Sequence, residues 1–175
     1  MDTGDPPAFL ATLDSETQQE AEAELMACCA SRRWAAEVAA RRPYHDLATL
    51  RRVSDAALDA LDWADVLEAL AAHPRIGERA AGEGREAGWS RAEQAGVSNT
   101  ATGDERTAEL AAGNAEYERR FGHVFLICAS GLSAGEVLAA LRQRLGNDED
   151  TERRVVREEL RRIVELRLGR LVGAA

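Results

Sequence analysis

A chain of 175 residues has the size of one compact domain, and a single domain over residues 1–175 is expected, with its core over about 10–172. With 45% hydrophobic and 30% charged residues it is not the composition of a disordered chain, and no apolar run approaches the roughly 20 residues that cross a bilayer. A formal charge of −9 repels phosphate backbones, and residues 1–7 lack the basic stretch and apolar run of a secretory signal. Neither nucleic acid nor membrane is therefore expected as a partner, and a cytoplasmic location is.

In chain order the pattern predicts an all-α fold, a single helical bundle. Ser15-Glu16-Thr17-Gln18 fits a capping box, in which side chains satisfy the free amides of a helix start, and predicts a helix over residues 16–30. Ser31 opens a second helix through Trp34, Val38 and Ala39 that must stop before Pro43. Residues 46–53 and 54–61 predict two shorter helices, the latter capped by Ser54. Asp62 caps another, carrying Trp63, Val66, Leu67 and Leu70 and ending at His73-Pro74. The three glycines within residues 78–88 predict a loop, after which Ser90-Arg91-Ala92-Glu93 reads as a second capping box.

Residues 104–120 place Leu110, Tyr117 and Phe121 on one helical face. The apolar run 123–129 is rich in β-branched and aromatic residues and fits a helix and an extended segment equally; with no partner strand, it reads as a buried helix or an irregular stretch within the bundle. Ser133-Ala134-Gly135-Glu136 is a third capping box, opening a helix that ends at Gly146, where positive φ is often needed. A last helix is predicted over residues 150–171.

Several residues break this pattern. In the last helix Val156, Leu160, Ile163, Val164 and Leu171 recur at intervals of three or four and define an inward face. Arg167 falls near its middle, and a guanidinium there needs a partner or a ligand. It either snorkels or pairs with a buried carboxylate, or it clamps an anion or carbonyl in a cavity. Ser90, Glu93 and Gln94 fit a helix start, yet the same spacing puts all three within one arc of about 100°, where they could face a cavity. His73 sits at a helix C-terminus, as an exposed capping histidine or a catalyst. Asn114, on the face of Leu110 and Tyr117, reads as a buried amide tying helices together, and His45 and His123 as structural.

All 22 basic residues are arginine. Without lysine there is no amine for a Schiff base, either with pyridoxal phosphate or with a carbonyl substrate. The three cysteines, Cys28, Cys29 and Cys128, have no C-x-x-C spacing, and the three histidines form no metal-binding pattern. No cofactor and no metal is expected.

Four motifs in order carry a resemblance: Ala72-His73-Pro74-Arg75-Ile76-Gly77; Ser90-x-x-Glu93-Gln94-x-Gly96; Asn114-x-x-Tyr117-x-x-x-Phe121-Gly122-x-x-Phe125-x-Ile127; and Leu166-Arg167-Leu168. Trp34 and Arg42-Pro43-Tyr44 extend it upstream. Together these segments resemble the 2-oxo-4-hydroxy-4-carboxy-5-ureidoimidazoline (OHCU) decarboxylases of uric acid breakdown. The resemblance implies an all-α fold particular to that family, a homodimer, and conversion of OHCU to (S)-allantoin with release of carbon dioxide. It also implies that His73, Glu93 and Arg167 are catalytic, that Ser90 and Gln94 bind substrate, that Pro74 lines the site, and that Phe125 and Ile127 supply main-chain contacts. His123-Val124 departs from the Phe-Pro pair of some members, and Arg75-Ile76-Gly77 follows the His-Pro pair where others have an acidic residue.

Loss of carbon dioxide leaves an electron pair that needs a sink. With no lysine and no cofactor motif, the conjugated ring of OHCU must supply it, and the protein positions the ring and manages protons. His73 then donates or shuttles the proton, Glu93 orients and charges the imidazole, and Arg167 binds oxygen where negative charge develops. Two other readings stand beside this one: an enzyme acting on a related ureido or hydantoin compound, and a non-catalytic helical interaction domain.

Overall fold

The computed structural model describes residues 8–78, 81–100 and 104–173, and their side chains except those of 98–100 and 104. Ten α-helices and no strand are found among the described residues. They fall into two compact units, one of residues up to 69 together with those from 161 onward, the other of residues 70–160. Among the described residues no helix is long and apolar enough to cross a membrane.

The first unit holds α1 (Ala8–Ser15), α2 (Gln18–Met26), α3 (Arg32–Ala40) and α4 (Leu47–Asp59), most of α5 (Trp63–Ala71), and the end of α10 (Glu149–Leu171). The first capping box belongs to Thr17 and Glu20 rather than Ser15 and Gln18, because α1 already contains Ser15 and a new start must follow it. Helix α2 ends at Met26, short of the expected residue 30. Ser31 caps α3 as expected, its side chain accepting from Trp34 N–H. The two helices expected within residues 46–61 are one, α4. Asp46 caps α4, and Ser54 lies buried within it, where its hydroxyl and C=O both accept from Trp34 Nε1 at 3.3 Å. That inward bond satisfies the Ser54 hydroxyl without a helix break.

In α10 the expected inward face is observed: Val156, Leu160, Ile163, Val164 and Leu171 are all buried. The second unit holds α6 (Arg85–Glu93), α7 (Ala95–Thr100), α8 (Asp104–Phe121), α9 (Ala134–Arg144) and the first part of α10. Ser133 and Glu136 form the third capping box as expected, but Gly146 is not among the positive-φ glycines. The end of α9 closes instead through Leu145 in helical geometry, and Gly146 N–H donates to Gln143 C=O at 3.1 Å. Ile76, Leu110, Tyr117, Phe125, Ile127, Val137 and Leu141 form the buried core of this unit.

The only two tyrosines, Tyr44 and Tyr117, are buried. Burial, above all, pushes both phenols well above the ordinary value of about 10. It likewise pushes the Cys29 thiol up to about 12. Each group stays protonated in the fold and loses its proton only on unfolding. Their contribution is therefore intact below the unfolded values and is lost as pH rises above about 9 for the thiol and about 10 for the phenols, at up to roughly 1.4 kcal/mol per pH unit for each phenol. With no lysine titrating in that range, the effect stands clear. Phenolate absorbance at about pH 11 should appear together with the loss of helical circular dichroism; phenolate forming in the intact fold would contradict this.

Candidate active site

His73 lies two residues beyond α5, and its N–H donates to Leu70 C=O at 3.0 Å. The side chain is half-buried. His73, Pro74 and Ser90 line one cavity of about 540 Å³, whose walls also include Gly82, Gly84 and Glu86. His73 is thus partly sheltered at a cavity wall rather than fully exposed.

The turn that follows is held by side chains. Gly77 has φ of 91°, a conformation glycine adopts without cost, and its N–H donates to Gln94 Oε1 at 3.0 Å. Asn114 Nδ2, from α8, donates to Ile76 C=O at 2.8 Å, so the buried amide ties this helix to the turn. Arg75 makes a two-pronged pair with Glu118, at 2.6 and 3.1 Å.

The expected helix start at Ser90 is not found. Helix α6 begins at Arg85, after Gly84 in extended geometry, so the loop ends at Gly84 and Ser90 and Glu93 fall in the helix's last turns. Glu86 lies in the first turn, beside the positive end of the helix dipole, and favours that earlier start. Gln94 is the C-cap, with its N–H on Ser90 C=O at 3.2 Å. All three polar residues are nevertheless buried, at 5%, 7% and 8% exposure, which suits the inward cluster rather than a solvated cap. Gly96 completes the motif for a steric reason: a Cβ there would stand 2.4 Å from Leu132 C=O.

Phe125 and Ile127 are buried in residues 122–129, which have no helix or strand geometry; the irregular reading is the one observed. Backbone polar groups buried this way need side-chain partners. Leu126 C=O accepts from Arg144 Nη1 at 2.6 Å, and Cys128 N–H donates to Glu159 Oε2 at 2.8 Å. Arg144 in turn is paired with Glu152 at 2.6 and 2.8 Å, and stands over the Phe125 ring at 4.5 Å. Glu152 also accepts from the Tyr117 hydroxyl and, at 2.8 Å, from Asn147 Nδ2. Sequence reasoning missed Arg144, Glu152 and Glu159.

Arg167 belongs to the other unit. It is 2% exposed, which rules out snorkelling, and its Nη1 donates to Ala27 C=O at 3.2 Å. His45 is exposed, and His123 packs its ring edge-on to Tyr117 with centroids 5.5 Å apart.

A family model described as OHCU decarboxylase matches residues 14–169. The chain belongs to the OHCU decarboxylase family. It is 34% identical over 140 residues to the 2-oxo-4-hydroxy-4-carboxy-5-ureidoimidazoline decarboxylase of Amia calva, covering 79% of each chain. To the uric acid degradation bifunctional protein TTL of Arabidopsis thaliana it is 32% identical over 152 residues. That match takes in 86% of this chain and 47% of the relative, so the chain spans about half the length of the bifunctional protein. Among solved structures, that of an OHCU decarboxylase in the presence of (S)-allantoin superposes with a TM-score of 0.75 at 30% identity, over 86% of this chain and 97% of the other. The all-α fold expected from the sequence is thus the fold of an OHCU decarboxylase.

Proposed function

We propose that this chain removes carbon dioxide from OHCU to give (S)-allantoin in the breakdown of uric acid, with His73 as the residue that handles the proton. The observation that carries this reading is the family match over residues 14–169, which contains the His-Pro, Ser-Glu-Gln and Leu-Arg-Leu motifs intact. The buried Ser90, Glu93 and Gln94 and the cavity wall formed by His73, Pro74 and Ser90 support it.

In this mechanism the carboxylate leaves as carbon dioxide, and its electron pair passes into the conjugated ring of the substrate. His73 delivers a proton to the carbon that becomes the stereocentre, and Glu93 holds the imidazole in orientation and stabilises its charge. Arg167 binds oxygen where negative charge develops; clamping the departing carboxylate would instead stabilise the ground state. Ser90 and Gln94 bind the substrate, Pro74 shapes the wall, and Phe125 and Ile127 contribute main-chain groups. Because Gln94 Oε1 already accepts from Gly77 N–H, Gln94 meets the substrate through its Nε2 donor, which suits a ring or ureido carbonyl. In the same reading the protein works as a homodimer, which the family resemblance implies, and in the cytoplasm.

Arg167→Lys keeps the charge but loses the planar fork, and is expected to lower kcat by more than about tenfold with KM changed less than about threefold. A change confined to KM would show that the arginine binds substrate and transition state alike. The reading itself is tested by making OHCU in place from urate and following its disappearance. The protein should shorten the lifetime of OHCU well below the spontaneous one, and an unchanged lifetime would overturn the assignment.

A further inference from the structure

We infer that Glu159 and Arg144 are positioning residues that set the main chain of Phe125 and Ile127 for substrate binding; this rests on the function proposed above. The segment around Phe125 is buried, irregular and without a strand neighbour among the described residues, so nothing regular fixes its path. What fixes it is a pair of side chains. Arg144 donates to the C=O of Leu126, and Glu159 accepts from the N–H of Cys128, at 2.6 and 2.8 Å. A C=O at one residue and an N–H two residues on are the groups that one edge of a parallel neighbouring strand would take. The two side chains stand in for that edge.

The consequence concerns the residues between and beside the tethers. The tethers occupy main-chain groups of 126 and 128 and leave to the substrate those of 125 and 127, the two residues the family motif assigns to main-chain contact. Arg144 adds a second restraint by covering the Phe125 ring, which Tyr117 also meets edge-on with centroids 5.2 Å apart. Arg144 is itself immobilised by the buried Glu152 carboxylate. Glu159 is only half-buried, so its removal leaves the core intact.

The main-chain contacts act on the bound substrate and on the transition state alike, so loosening them should appear in KM. Glu159→Ala is expected to raise KM for OHCU about fivefold to tenfold with kcat within about twofold, and with a thermal midpoint lowered by no more than a few degrees. Glu159→Gln, which keeps an acceptor oxygen for Cys128 N–H, should restore KM to within about twofold of the unaltered protein. A Glu159→Ala variant with unaltered KM overturns the inference, as does a Glu159→Gln variant as impaired as Glu159→Ala. Should Glu159→Ala not fold, Glu159→Asp replaces it, since its carboxylate is one methylene short of Cys128 N–H; equal KM for the Asp and Gln variants then overturns the inference. If the unaltered protein does not hasten OHCU decay, it is the proposed function that fails, not the positioning role.

Discussion

Replacing His73 by asparagine is expected to lower kcat for OHCU by about 10²–10⁴-fold, the range typical of a lost general acid or base. Asparagine keeps a polar side chain of similar reach but cannot gain and lose a proton near neutral pH. Since His73 is half-buried at a cavity wall rather than in the core, the thermal midpoint should move by no more than a few degrees. KM should stay within a few-fold, because in the proposed mechanism Ser90, Gln94 and the main chain of Phe125 and Ile127 are what hold the substrate. A folded His73→Asn protein with undiminished kcat would remove the proton-handling role and favour a reading in which the chain only binds.

The second large effect falls on stability. Arg144 and Glu152 form an ion pair whose side chains are 7% and 1% exposed. Arg144→Met leaves the Glu152 carboxylate buried with only the Tyr117 hydroxyl and Asn147 amide as partners, and is expected to cost about 3–5 kcal/mol. For a chain of this size that is a fall of roughly 6–20 °C in the thermal midpoint. Removing both charges in Arg144→Met with Glu152→Leu should recover much of the loss, since no buried charge is then left uncompensated. The double variant still lacks the donor to Leu126 C=O, so its KM should stay raised although its stability returns. A single variant destabilised by less than about 1 kcal/mol would contradict the view of this pair as a buried, coupled unit.

These two predictions differ in how far the sequence alone leads to them. His73 was visible because a motif surrounds it, and Arg167 because a charge on the apolar face of a long regular helix breaks a clear period. Ser31 and Ser133 were readable as caps for a related reason: each precedes a helix whose start is decided by its own first turn. The Ser90 capping pattern misled because Gly84 and Glu86 start the helix earlier, and the same spacing then serves a buried polar cluster. Ser54 misled in a similar way, since its hydroxyl is satisfied by Trp34, a residue 20 positions away.

Arg144 and Glu152 were not legible at all. They are eight residues apart across a helix break, in a stretch that also carries Arg142, Glu149, Arg153 and Arg154. Local spacing cannot tell the one pair that is buried from those left in solvent, such as Arg153 with Glu149. Glu159 escaped for a different reason. Its partner is a backbone N–H, and a backbone group carries no signal in the sequence. The supports of an irregular segment are therefore the part of the candidate site that only the folded chain discloses.

The most direct measurement is the optical activity of the allantoin formed when urate is converted to OHCU in place and the chain is added. Spontaneous decay gives both enantiomers, because nothing directs the proton to one face of the ring. With His73 delivering that proton, the chain should give (S)-allantoin alone, and faster than the spontaneous reaction. Racemic allantoin at the spontaneous rate would contradict the account.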